Sequence, residues 1–210
     1  MTSRASQSKL LNIESKLRES GINLIAGVDE AGRGPCAGPL VIAAVILKDS
    51  SSEALARVRD SKELSEKVRE ELFPIVKAEA LAYSMIEIWP DELDSLGLHK
   101  SNLEGMRRAV SSLTVAPEYV LTDGYAIEGI DVPSLTVWKG DQVALSISAA
   151  SILAKVHRDR IMVELDAKYP GYGLAGHKGY ITASHTAALE KLGVTDIHRK
   201  SFANIHKLLH

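Results

Sequence analysis

Apolar positions in this chain come in two kinds: short unbroken runs and longer stretches at helical spacing. Leu40-Val41-Ile42-Ala43-Ala44-Val45-Ile46-Leu47 has no polar position, which predicts a strand buried on both faces. Other strands are expected over Leu24 to Asp29, Ala82 to Ile88, Glu118 to Asp123 and Leu135 to Trp138. Helical spacing of Leu10, Leu11, Ile13 and Leu17 predicts a leading helix from Ser8 to Ser20. A second helix spans about 65–80, with Val68, Leu72, Ile75 and Val76 on one side and Pro74 expected to kink or divide it. Asp91 is read as an N-cap, ahead of a pattern carrying Leu103, Met106, Val110 and Leu113. A long helix, about 144–168, begins with small residues; Ser148 and Ser151 there are read as aids to close packing. A glycine-rich loop over 170–180, a helix over 182–192 ended by Gly193 and a short helix near 202–209 complete the order.

Three strands, then alternating helices and strands, then helices alone, predict a mixed sheet flanked by helices. With the first strand central and right-handed crossovers, the fourth and fifth strands lie parallel to it on one side. Asp29, Asp123 and Asp141 then meet at the carboxyl edge, where open α/β sheets place their ligands. Glu30 neighbours Asp29, and in a regular strand the two point to opposite faces. Both serve one site only if the strand ends there or one acts through its backbone. Singly, each acid has a plainer reading: a solvated turn for Asp29-Glu30, a strand-end turn for Asp123, a helix cap for Asp141. Jointly they form a set of hard oxygen donors, which selects Mg²⁺ or Mn²⁺. Two such ions about 3.5–4 Å apart activate water and stabilise a leaving oxygen in phosphoryl displacement.

Composition narrows the class. The 210 residues carry a net charge of −2, with 45% hydrophobic and 25% charged residues, as in an ordinary globular chain. The first twenty residues lack the apolar stretch of a secretory signal, and the longest apolar run is too short to span a bilayer. A single cysteine, Cys36, excludes an internal disulfide and fits the cytoplasm; among small neighbours it is read as an inert packed thiol. From Ser151 onward, nine Lys/Arg face five Asp/Glu, so the C-terminal part is basic while the rest is acidic. A nuclease of resolvase or transposase type and a non-catalytic nucleic-acid or metal-binding module remain alternatives on the residues alone. No G-x-S-x-G elbow supports a serine hydrolase.

Seven ordered blocks resemble the ribonuclease HII family, the type 2 ribonucleases H. They are Gly27-Val28-Asp29-Glu30-Ala31-Gly32-Arg33-Gly34-Pro35, Asp60-Ser61-Lys62-Glu63-Leu64-Ser65, Val120-Leu121-Thr122-Asp123-Gly124, Lys139-Gly140-Asp141, the stretch from Ile147 to Val156, His177-Lys178-Gly179-Tyr180 and His198-Arg199-Lys200-Ser201-Phe202. The resemblance implies one ribonuclease H-like domain over 1–210, with a five-stranded mixed sheet and helices over about 24–168. A C-terminal helical, substrate-binding part follows over about 169–210. It implies hydrolysis of RNA in RNA–DNA hybrids and incision 5′ of ribonucleotides embedded in duplex DNA, leaving 3′-hydroxyl and 5′-phosphate ends. That activity points to a role in removing misincorporated ribonucleotides, by a monomer with no membrane partner.

By the same resemblance, Asp29, Glu30, Asp123 and Asp141 are the catalytic, metal-binding carboxylates. Gly32, Arg33 and Gly34 form the family's glycine-arginine-glycine element, and Tyr180 is its substrate-reading tyrosine. The discriminating atom is the 2′-hydroxyl, which DNA lacks. Gly32 and Gly34 let backbone approach a sugar, while the Tyr180 ring packs on the next deoxyribose. Arg33 and Lys62 are expected to contact phosphates. His177, Lys178, Lys155, Arg199 and Lys200 are candidates for extending that track. The segment before Leu24 carries no assignable motif.

Overall fold

The computed structural model describes residues 12–209. Its elements are α1 (Asn12–Glu19), β1 (Ile25–Ala31), β2 (Leu40–Leu47), α2 (Glu66–Glu79), β3 (Ala80–Ile88), α3 (Pro90–Leu96), α4 (Leu98–Ser111), β4 (Tyr119–Asp123), β5 (Ser134–Val137), α5 (Leu145–Lys168), α6 (Leu174–His177), α7 (Ala183–Leu192) and α8 (Ala203–His206). The strands form one sheet in the order β3-β2-β1-β4-β5. β1 is antiparallel to β2 and parallel to β4, which is parallel to β5. The mixed sheet and its central first strand are therefore as the residue pattern predicts.

Every residue of β2 is buried, and alternate positions serve two separate cores. Val41, Ala43, Val45 and Leu47 join α2 and α5 on one face. Leu40, Ile42, Ala44 and Ile46 join residues of α4 on the other. Among the described residues, no helix is long and apolar enough to cross a membrane.

Several boundaries differ from expectation for local reasons. The leading helix starts at Asn12 among the described residues; the expected turn over 8–11 lies outside them. Pro74 does not divide α2, because it lies on the exposed side, where water can take the carbonyl of Glu70 that loses its partner. Asp91 is not a cap: Trp89 occupies that position and Pro90 starts α3, where a missing N–H costs nothing. Gly97 then separates α3 from α4. The loop over 170–180 contains the short α6.

The long helix α5 lies unusually close to β1. A Cβ on Gly27 would stand 2.1 Å from the backbone carbon of Ser146, so only glycine permits this approach. Buried Ser146, Ser148, Ala149, Ala150 and Ser151 continue the small-residue face. The N-terminus of α5 is completed from far away, since the buried Glu14 carboxylate on α1 accepts the Ser146 N–H at 2.7 Å. That contact gives the leading segment a structural task.

Two buried arginines hold the segment after β1, Arg158 from α5 and Arg199 from the helical C-terminal part. Arg158 donates to the carbonyls of Pro39 and Ala37 at 3.0 and 3.1 Å. Arg199 donates to Gly38 O at 2.9 Å and to Arg33 O at 3.2 Å. Burial draws their pKa values down to about 10 and about 9. Arg199, expected on a phosphate track, is thus a structural latch, because every route from its guanidinium to solvent is closed.

Gly27→Ala is expected to destabilise the fold by about 3 kcal/mol, since the contacted atoms are backbone and cannot rotate away. Glu14→Ala should cost about 1 kcal/mol. Urea unfolding of both variants beside the wild type measures the two effects.

Candidate active site

The parallel register sets the acidic cluster. Val28 pairs with Thr122, so the next residues, Asp29 and Asp123, emerge side by side. Asp123 ends β4, and its Oδ1 accepts the Gly140 N–H at 2.7 Å. This bond draws in the single 3₁₀ turn Gly140–Gln142, which carries Asp141. Ser148 Oγ fixes the turn from below by donating to Asp141 O at 2.7 Å. Carboxylate oxygens of Asp29, Asp123 and Asp141 consequently lie within 4.8 Å of one another.

Glu30 stands outside that triangle. β1 runs on to Ala31 rather than ending at Asp29, so Glu30 takes the opposite face, as strand alternation requires. It still lines the cleft, with Arg33 Nη1 3.7 Å away. The Arg33 guanidinium also lies over the Tyr125 ring at 4.5 Å. Glu30 Oε2 and Arg33 Nε are buried without a hydrogen-bond partner. Arg33, expected on a phosphate, is thus partly engaged within the protein and partly unsatisfied.

Burial dominates the electrostatics. It pushes the Asp29 pKa well up, reinforced by the charges of Glu30 and Asp123. It raises Glu30 to about 7 and Asp141 to about 6, with Asp123 adding to both shifts. Lys62 partly compensates, its Nζ 3.1 Å from Asp141 Oδ2. Asp29 accepts a hydrogen bond from Ser151, whose Oγ is 2.6 Å from Ser61 Oγ. Ser151 is therefore more than the packing residue expected. Asp60 is buried nearby and accepts from Lys62 N and from Gln142 Nε2.

Across the cleft, Gly32 and Gly34 face Tyr180. Gly32 has φ +96°, and a Cβ there would collide with the Arg158 side chain, so the turn accepts no other residue cheaply. Tyr180 is 48% exposed, and its ring lies 3.5 Å from where a Gly34 Cβ would be. It is not a core tyrosine. Behind it runs a chain of neutral imidazoles. Thr195 N donates to His198 Nδ1, leaving the proton on Nε2, which faces His185 Nε2 at 3.2 Å. His185 Nδ1 then donates to Tyr180 O at 2.9 Å. Burial keeps both rings neutral, drawing His198 down to about 4.

The remaining expected phosphate contacts are mostly occupied. Lys155 lines the cleft but pairs with Asp159 at 2.6 Å. Lys178 approaches Glu66, and His177 stacks on His185. Cys36 is buried, and burial raises its thiol pKa, as an inert thiol requires. Tyr125 and Gln142 carry no expectation from the chain, Asp60 and Ser61 none beyond their place in a family block, and Ser151 one of packing or a phosphate contact rather than of bonding Asp29. The Asp60–Ser65 and Ile147–Val156 blocks mark three of these five, whereas Tyr125 and Gln142 reach the site only through tertiary contacts.

The donor set fits a hard divalent cation. All three converging ligands are carboxylates, their charges are mutually destabilising, and a further buried carboxylate oxygen nearby has no partner. A carboxyl whose folded pKa exceeds its unfolded value stabilises the fold at low pH and loses that stabilisation as pH rises. For Glu30 and Asp141 the loss runs from about 4 up to about 7 and about 6. In chelator, Asp123→Asn should therefore melt about 3 °C above the wild type at pH 8, with the gap closing by pH 4. Added Mg²⁺ should raise the wild-type melting temperature and leave the variant unmoved, as scanning calorimetry at each pH would record.

A family model for ribonuclease HII matches residues 26–205. Ribonuclease HII of Rhodococcus opacus (strain B4) is 55% identical over 203 residues, covering 97% of this chain and 90% of that protein. Ribonuclease HII of Mycobacterium avium (strain 104) is 54% identical over 201 residues, with coverages of 96% and 87%. The crystal structure of ribonuclease H2 from Pyrococcus horikoshii OT3 aligns with a TM-score of 0.76 at 29% identity, covering 88% of this chain and 96% of that one. The acidic edge of the sheet and the near-complete alignments agree: the chain belongs to the ribonuclease HII family.

Proposed function

We propose that the protein is an endoribonuclease that hydrolyses RNA in RNA–DNA hybrids and incises 5′ of single ribonucleotides in duplex DNA. The ends it leaves are 3′-hydroxyl and 5′-phosphate, which suits removal of misincorporated ribonucleotides. The observation that carries this reading is the convergence of Asp29, Asp123 and Asp141 oxygens within 4.8 Å beside the Gly34–Tyr180 surface. Asp29, Asp123 and Asp141, with Glu30 at the rim, would hold Mg²⁺ or Mn²⁺, two per site. Bound there, these ions supply a nucleophilic water and stabilise the leaving oxygen.

The chain's own groups do the recognition. Gly34 is exposed at the cleft and Gly32 half-buried, and neither carries a side chain of its own to hold a ribose 2′-hydroxyl away from the backbone. The Tyr180 ring, backed by the imidazole chain, closes the sugar pocket from the opposite wall and disfavours a second 2′-hydroxyl. Lys62 and Arg33 bring positive charge to the cleft where a phosphate would lie. Ser151 orients the Asp29 carboxylate through its hydrogen bond. The buried lone thiol fits a monomer at work in the cytoplasm, and the whole of 1–210 acts as one ribonuclease H-like domain.

Asp29→Asn and Asp123→Asn should each lower cleavage of a duplex with one ribonucleotide by about 10³-fold or more while circular dichroism stays unchanged. Tyr180→Ala should impair incision at the lone ribonucleotide and leave Mn²⁺ binding intact by calorimetry. Near-normal rates in either aspartate variant, or cleavage of the all-DNA control, would refute the reading.

A further inference from the structure

A second cavity adjoins the first across a shared wall of Glu30, Arg33, Lys62 and Asp123. Tyr180 lines the first, and Trp138 and Tyr125 line the second. The carboxylates therefore sit between a tyrosine on one side and a tryptophan on the other. Trp138 is 82% exposed, the most exposed large apolar residue among those described. Its placement has a cause. It follows the end of β5, and Lys139 after it takes a left-handed backbone at φ +53°. That reversal aims Asp141 inward to the carboxylates and leaves the indole outward at the cleft rim.

The chemistry around the indole selects an occupant. Lys139, Lys62 and Arg33 line the same cavity together with the carboxylates Glu30, Asp60, Asp123 and Asp141; Lys62 and Arg33 approach Asp141 and Glu30, and no carboxylate partner of Lys139 occurs among the described residues. The Tyr125 face is already covered by Arg33, whereas no ring, cation or hydrogen-bond partner of Trp138 occurs among the described residues. A flat, uncovered aromatic face next to Lys139 and continuous with the metal-suited carboxylates matches a nucleic-acid backbone with its phosphates and apolar sugar faces.

We propose that Trp138 is a substrate-binding platform, packing on a sugar of the strand where it leaves the carboxylates on the side away from Tyr180. The inference rests on the functional reading above and adds a second aromatic contact across the scissile phosphate. A sugar face offers less than the full base–aromatic stack, so losing the contact weakens binding on the order of tenfold, toward the lower end of the base-stacking range.

The test compares wild type, Trp138→Ala and Trp138→Phe on a duplex carrying one ribonucleotide. The expected result is a KM raised about tenfold in Trp138→Ala with kcat within about twofold, largely restored in Trp138→Phe, and unchanged melting temperatures. Since the chain has only two tryptophans, Trp89→Phe makes Trp138 the sole reporter. With Asp123→Asn added to prevent turnover, emission should change on titration with the same duplex. Unaltered KM in Trp138→Ala, a loss in kcat alone, or indole emission indifferent to saturating duplex would each overturn the proposal. Those results with an active wild type would leave the functional reading standing; a wild type that cuts no ribonucleotide-bearing duplex would remove both.

Discussion

Like charges brought together in a buried place are the constraint around which this molecule is organised. Two unit charges about 5 Å apart repel by roughly 3 kcal/mol at an effective dielectric of about 20. Here three carboxylates converge within that range, two of them fully enclosed. Raised pKa values at Asp29, Glu30 and Asp141 register the cost. Groups so placed persist only where a rigid scaffold holds them; Lys62 relieves part of the repulsion, and a hard cation is suited to relieve the rest. The packing that holds these acids together and a donor set suited to a divalent cation are thus two aspects of one arrangement.

The scaffold meets that demand by anchoring each carboxylate separately. Asp29 rides on the central strand, covered by α5 at a distance that Gly27 makes possible. Asp123 and Asp141 are joined through the Gly140 N–H, and Ser148 holds the turn against the helix. Glu14 completes the helix N-terminus from the opposite end of the chain. Each of these contacts lies behind the carboxylates and helps fix where their oxygens converge.

Opposite the acids, the C-terminal part serves as a wall rather than a broad basic surface. Arg158 and Arg199 spend their charge on carbonyls of the segment after β1, and the imidazole chain sets the Tyr180 backbone. Lys155, Arg160 and Lys178 likewise pair with carboxylates of the protein itself. Nearer the acids, Lys62, Lys139 and Arg33 line the cleft itself.

Periodicity and element order were sufficient for the sheet, its central strand and the meeting of Asp29 with Asp123, because burial pattern and crossover handedness follow from local chemistry and chain direction. Seven short blocks likewise identified the family. Hidden from a linear reading were the partners contributed by distant residues: Ser151 on Asp29, Glu14 on α5, Arg199 on Gly38 and the separation of Glu30 from the triad. A charge in a sequence is the same letter whether it meets water or a carbonyl. Which it meets depends on side-chain burial and long-range packing, and these exist only once the chain has closed on itself.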